Sequence, residues 1–356
     1  MTKTASAAPA TERKHSPVFV MGCHRSGTNL LYDLLLSAGG FAVYRGYVPI
    51  YKMLIPRCGP LSRPESRKML ADLWLRSEGC RRSGLDAAEV SARLLECCQT
   101  GGDFLRIIMG NIARNQQAQR WAVYDPDNVL YIPRIKADIP EALFVHIIRD
   151  GRDIALSLKK MAEFRPFFWD RRPRDLLGTA AYWEWMVRKG RDHGRQIPAD
   201  YIEVRYEELV SDPRRTLGAL GDFLDHDLDY DRIEKASVNR PRESNSSFRN
   251  EPDAGEQSPV NRWKKRLSGE EVRRIEAVVG ECLQELGYPL STADSVRTPG
   301  PRERIVRALY PMFLNTKAWL KVNTPAGRLT NLTTLQLEGN VAQKGRTNGR
   351  HVESRS

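Results

Sequence analysis

The chain has 356 residues, 41% hydrophobic and 28% charged, enough to bury one large core, and it carries a formal net charge of +12. No apolar run approaches the ~18 residues of a membrane-crossing helix, and the charge calls for an anionic partner, although nucleic acid fits poorly because no recognised binding motif accompanies it. The six cysteines, Cys23, Cys58, Cys80, Cys97, Cys98 and Cys282, show neither zinc-ligand spacing nor a secreted framework, so reduced thiols are expected.

Residues 1–16 form a small, polar stretch without a hydrophobic segment and read as a flexible leader rather than a signal peptide. A cytoplasmic location follows. Val18 to Met21 then read as a buried strand, Gly22 and Gly27 free the backbone to turn, and Leu30, Leu31, Leu34 and Leu35 recur at helical spacing from a start near Thr28. The open N–H groups of that helix, with Arg25, Ser26 and Thr28, make a phosphate cradle from first principles. A tight turn without ligand is the other reading of this loop alone. It is not a Walker A loop, because Gly27 stands where the lysine would precede Thr28.

Residues 40–142 read mainly as helices, followed by a strand, an Asp125-Pro126 turn and a short helix. The stretch 143–162 repeats the strand–turn–helix plan, with a strand Leu143–Ile148, a charged turn and a helix opening near Asp153. Arg149 and Ser157 can then both point to the carboxyl edge of the sheet, where a guanidinium and a hydroxyl suit a phosphate monoester. A strand-end ion pair between Arg149 and Asp150, with Asp153 capping the helix, is the structural alternative. Taken together, the two turns predict two separate phosphate pockets. The block 164–175 interleaves aromatics with arginines and reads either as a sugar-stacking surface or as a packed connection. The Ser-, Asn- and Pro-rich stretch 237–265 reads as a long mobile loop. A core helix follows, with a capping box Ser268…Glu271 and a stop at Gly287.

The loop GCHRSGT at 22–28, together with the strand–RDGRD–x3–S element at 143–157, resembles the PAPS-dependent sulfotransferases. The segments 201–224 and 260–288 are similar to further motifs of that family, and the four in order cover about 270 residues. The resemblance implies an α/β fold: a P-loop-like three-layer arrangement with a central parallel sheet flanked by helices, plus a helical insert at about 50–118 that walls the acceptor site. It implies a sulfotransferase domain over 17–290; composition reads the rest as a basic amphipathic extension over 291–340 and a disordered tail over 341–356. The co-substrate it implies is PAPS, with no metal required, and the acceptor is a hydroxyl, less readily an amine, on a carbohydrate or lipid-linked glycan. Gly22, Arg25, Ser26, Gly27, Thr28 and Asn29 would hold the 5′-phosphosulfate. Arg149 and Ser157 would hold the 3′-phosphate, while Tyr206, Ser247 (or Ser246) and Lys264 (or Lys265) would complete the donor site.

The catalytic base departs from the family pattern. No carboxylate stands in GFAVYRGYVPIY at 40–51, where many members carry a glutamate, and Tyr124 occupies the place of the lysine before the Asp-Pro turn. Asp125, His24 and Tyr47 are the candidate bases beside Arg25 as the charge-stabilising residue; Arg45 stays protonated and could bind an acidic acceptor, and Glu163 is a further carboxylate on the loop side of the second helix. Two other classes stand as alternatives: a nucleotide-binding or membrane-associated protein without catalysis, and a small-metabolite kinase, which the missing loop lysine disfavours. The basic and aromatic stretch after Arg297 reads as a helix broken at Pro311 that docks on the protein body, or as one that rests on the anionic inner face of the membrane.

Overall fold

A computed structural model describes residues 13–159, 161, 175–237, 260–293, 298–335 and 337. The expectations for the leader up to residue 12, Glu163, the aromatic–arginine block through Arg174, Ser246 and Ser247, and the 341–356 tail concern residues outside this set.

Strand β1 (Val18–Gly22) leads into α1 (Thr28–Ser37), as the glycine-bracketed turn predicts. A π-helical turn at Ile50–Leu54 is followed by α2 (Ile55–Cys58), α3 (Pro64–Leu75), α4 (Glu78–Ser83), α5 (Ala87–Cys97) and α6 (Gly101–Asn115). Next come β2 (Ala122–Tyr124), a 3₁₀ turn at Pro126–Leu130, α7 (Ile132–Asp138), β3 (Leu143–Ile148), α8 (Gly151–Lys159) and α9 (Leu176–Gly194). Strand β4 (Tyr201–Arg205) runs directly into α10 (Tyr206–Ser211), and then α11 (Pro213–Leu224), α12 (Tyr230–Ser237), α13 (Trp263–Arg266), α14 (Gly269–Glu285) and α15 (Pro301–Asn323) complete the order.

The strands form one four-stranded parallel sheet in the order β2-β1-β3-β4, with β3 and β4 in register from Phe144 opposite Tyr201 to Ile148 opposite Arg205. The inner strands VFVMG and LFVHII are buried along their whole length, which explains why both read as continuous apolar runs rather than alternating ones. This is the α/β plan with flanking helices that the sequence implies.

The chain divides into two compact units. One comprises Met1–Phe19, Gly39–Leu143 and Ala318–Ser356. Its core includes Trp74 of α3 set edge-on to Phe104 of α6, with ring centroids 5.3 Å apart. The other comprises Val20–Ala38 and Phe144–Lys317, and here α9 packs against α8 and α14. Gly151 opens α8 because the Trp183 ring fills the space a side chain would need: a Cβ there would lie 2.5 Å from the indole. The Trp183 indole N–H in turn donates to the Arg149 carbonyl at 3.0 Å, fixing the end of β3.

Helix α14 carries the predicted capping box, with Ser268 accepting from the Glu271 amide and Glu271 accepting from that of Ser268, and Gly287 follows its end at φ +74°. Helix α15, by contrast, runs unbroken through Pro311. Its side chains are held on both sides of the proline: Glu303 pairs with Arg274 at 2.6 Å, Asn315 accepts from the Trp185 indole at 3.0 Å, and Gly178 leaves room for Tyr310. Those anchors offset the backbone hydrogen bond that proline removes. Among the described residues no helix is long and apolar enough to cross a membrane.

Candidate functional site

The turn after β1 is shaped by backbone geometry that few residues tolerate. Gly27 caps α1 at φ +100°, and a Cβ there would lie 2.5 Å from the Tyr206 ring. Arg25 itself sits at φ +74°, the left-handed region that costs a non-glycine residue about 1 kcal/mol or more. Two contacts hold it there: its carbonyl accepts from Arg149 Nη1 at 3.2 Å, and its Nε donates to Ser157 Oγ at 3.2 Å. Helix α1 starts with no side-chain cap and no acidic residue in its first turn, so its positive end faces the loop uncompensated. The Ser26 hydroxyl is buried and meets no hydrogen-bond partner among the described residues. An oxygen this enclosed is costly to leave unsatisfied, and its hydroxyl could donate to an oxygen of an anion placed in the loop.

Cations crowd this turn. Burial, then the guanidinium groups of Arg149 and Arg262, lower the pKa of Arg25. Arg149 lies over the Tyr206 ring, 4.5 Å from its centroid, with Asp153 at 3.7 Å. An arrangement in which positive groups disfavour one another gains energy when an anion enters.

The RDGRD turn does a second job. Helix α8 opens at Gly151 rather than near Asp153, and the Asp153 carboxylate accepts from the backbone of Asn261 at 3.0 Å and Trp263 at 2.9 Å instead of capping its own helix. Arg152 is 1% exposed. It pairs with Asp150 and with Glu276 of α14, each at 2.7 Å, and its guanidinium lies 3.8 Å from the centroid of the Trp263 ring. Asp150 therefore pairs with Arg152, not with Arg149. The clamp fixes the segment from Asn261 to Trp263 and with it Arg262, whose charge reaches Arg25.

The other unit contains a buried polar cluster of a different kind. Asp125 is 2% exposed; it accepts from the Asp127 amide, capping the 3₁₀ turn, and from the Tyr47 hydroxyl, both at 3.1 Å. Lys52 forms an ion pair with Asp127. Burial works against the Lys52 ammonium, but Asp127 and then Asp125 outweigh it and raise its pKa, while burial and Asp125 raise that of Tyr47.

Of the predicted donor residues, Gly22, Arg25, Ser26, Gly27, Thr28, Asn29, Arg149, Ser157 and Tyr206 all belong to one unit and follow the ends of β1, β3 and β4. His24 lies in the same loop, partly exposed. The two turns predicted to hold phosphate adjoin: the neighbouring strands β1 and β3 carry them, and Arg25 touches Ser157 across them. Lys264 stands over its neighbour Trp263, its ammonium 5.6 Å from the ring centroid, and it is Arg262 whose charge acts on Arg25. Ser247 lies outside the described residues. Sequence reasoning missed Arg262 and Lys52. A lysine inside the apolar run VPIYKML was a usable signal for the second.

The fold is α/β, with a parallel sheet whose strand ends carry a helix N-terminus, an enclosed hydroxyl and clustered arginines, a setting suited to an anion. The profile described as "Sulfotransferase family" matches residues 17–230, and the chain belongs to that family. It is 29% identical over 130 residues to carbohydrate sulfotransferase 7 of Rattus norvegicus, covering 33% of this chain and 22% of that protein. A putative protein-tyrosine sulfotransferase of Caenorhabditis elegans is 28% identical over 111 residues, 31% of this chain and 42% of the relative. The chain thus matches less than half the length of either. In fold it is similar to the sulfotransferase domain from the curacin biosynthetic pathway, with a TM-score of 0.50 and 16% identity over 78% of this chain and 99% of that one.

Proposed function

We propose that the chain transfers a sulfuryl group from PAPS to a hydroxyl, less readily to an amine, on a carbohydrate or lipid-linked glycan. The observation that carries this reading is the meeting of the two turns, Arg25 Nε on Ser157 Oγ at 3.2 Å with Arg149 on the Arg25 carbonyl. A donor that bears phosphate on both the 5′ and 3′ positions of one nucleoside suits two anion-binding turns that abut. The unpartnered Ser26 hydroxyl, the side-chain-free Gly27 and the crowded guanidinium groups fit such a ligand. When bound, PAPS supplies the activated sulfuryl group.

Arg25, Ser26, Thr28 and the first amides of α1 bind the 5′-phosphosulfate and meet the negative charge that spreads onto its oxygens. Arg149 and Ser157 bind the 3′-phosphate, and Tyr206 backs both Arg149 and Gly27. Positioning and charge neutralisation by these cations carry most of the rate, as they do in phosphoryl transfer. His24, partly exposed in the donor loop, is the candidate to accept the acceptor's proton. The carbohydrate acceptor class rests on the similarity to the rat relative.

Calorimetric binding of 3′,5′-adenosine bisphosphate, with 5′-AMP and ATP as controls, tests the donor. Binding that requires the 3′-phosphate supports the reading; equal affinity for AMP, or a preference for ATP, overturns it. Labelled PAPS with a panel of glycans then tests transfer, and donor binding without turnover on any acceptor would leave a nucleotide-binding protein.

A further inference from the structure

The carboxylate of Asp153 is 2% exposed and is committed to a turn more than a hundred positions away. Its two oxygens accept from the backbone amides of Asn261 and Trp263, at 3.0 and 2.9 Å. Arg149 stands 3.7 Å from the same carboxylate, an ion pair beyond hydrogen-bond reach. The turn so held is tightly determined. Asn261 sits at φ +62°, a left-handed conformation that asparagine tolerates better than most residues, and the Trp263 ring is buried against the Arg152 guanidinium, 3.8 Å from its centroid. Arg262 lies between these two fixed residues, partly exposed, so its backbone is set from both sides.

We propose that Asp153 is a positioning residue of the donor site, holding the Arg262 guanidinium toward the anion that Arg25 and Arg149 bind; this rests on the donor reading given above. A long arginine side chain serves an anion best when its backbone is ordered beforehand, because ordering it on binding subtracts from affinity. The charge of Arg262 already reaches the site, since it acts on Arg25 after burial and Arg149. The sign of the effect separates positioning from plain electrostatics. Asp153 is itself an anion beside the site, so by Coulomb's law alone removing its charge favours a bound anion. Positioning requires the reverse: asparagine keeps the shape but offers one oxygen to two amides, and its NH2 group would face the second N–H, which releases the turn and Arg262 with it.

Calorimetric affinity of the full chain for 3′,5′-adenosine bisphosphate is measured for the wild type, Asp153→Asn, Arg262→Gln and the double variant. Each single variant is expected to bind about tenfold more weakly, and the double variant no more weakly than Arg262→Gln alone, because Asp153 acts through Arg262. Affinity that is unchanged or higher in Asp153→Asn overturns the proposal, as does a double variant weakened about a hundredfold, which would make the two residues independent. Arg262→Gln alters one partly exposed side chain and leaves the Asp153 hydrogen bonds in place, so wild-type affinity in this variant overturns the proposal even where Asp153→Asn does not fold. A wild type that does not bind the bisphosphate defeats the donor reading itself, a result distinct from tight binding that the variants fail to change.

Discussion

Two arginines of the single motif RDGRD meet opposite environments. Arg149, together with Arg25 and Arg262, belongs to a group of cations in which burial and the neighbouring charges lower the pKa of Arg25. Arg152, three residues further on, is enclosed by Asp150, Glu276 and the Trp263 ring; burial works against it, yet the carboxylates outweigh that and raise its pKa. The first region suits the anionic donor proposed for it, and the second is closed on itself. The difference separates the proposed binding site from a structural clamp even though both use the same residue type on the same turn.

The sharpest break of this comparison comes from the clamp. Arg152→Met leaves Asp150 and Glu276 with buried charge and no cation between them, and it should cost about 3–5 kcal/mol of stability by denaturant unfolding. Arg25→Met removes a cation from a cluster of like charges, so stability should change by less than about 1 kcal/mol, while turnover falls on the order of 10²–10³-fold. A loss of stability at Arg25 comparable to that at Arg152 would show that the two regions are not different in kind. If Arg25 acts mainly on charge developing in the transition state, turnover falls more than affinity for 3′,5′-adenosine bisphosphate; the reverse pattern makes it a binding residue.

A smaller effect sharpens the cation side. Arg149→Ala and Ser157→Ala should each weaken 3′,5′-adenosine bisphosphate by about 1.5–3 kcal/mol and leave 5′-AMP nearly unchanged, measured by calorimetry. Equal losses for both nucleotides would place these residues elsewhere than at the 3′-phosphate.

The cation side was largely legible in the sequence and the clamp was not. Gly22, Gly27 and the leucine spacing announce a strand, a turn and a helix because those are local rules, and Arg25 and Ser26 come with the turn. The Ser268…Glu271 box is local in the same way. The contact of Arg152 with Glu276 spans 124 positions, and no periodicity records it. Asp153 looked like a helix cap because a carboxylate near a helix start usually is one; here the amides of Asn261 and Trp263 compete for it successfully. Arg262 was passed over for Lys264 because adjacent basic residues cannot be ranked without knowing which one faces the turn. Pro311 marked a break by its own chemistry, and tertiary anchors on both sides of it prevailed.

One further group belongs to neither region and has the smallest expected effect. His146, on β3, is fully buried against Gly190, where a Cβ would come 2.5 Å from the imidazole, and its Nδ1 lies 2.5 Å from the Tyr201 hydroxyl. Burial, aided by the charge of Arg191, pushes its pKa from 6.5 down to about 3. Between those two values the unfolded chain binds a proton that the folded protein does not, so stability falls as pH drops from 6.5 and rises as pH is restored. The slope is at most about 1.4 kcal/mol per pH unit, which gives about 1–2 kcal/mol between pH 6.5 and 5, above the range where most carboxylates titrate. Urea unfolding of the wild type and of His146→Gln at these two pH values isolates this contribution: the variant is less stable at both, but its loss on acidification should be smaller than that of the wild type by this amount. An undiminished loss in the variant would show that the buried His146 is not the source of the acid sensitivity.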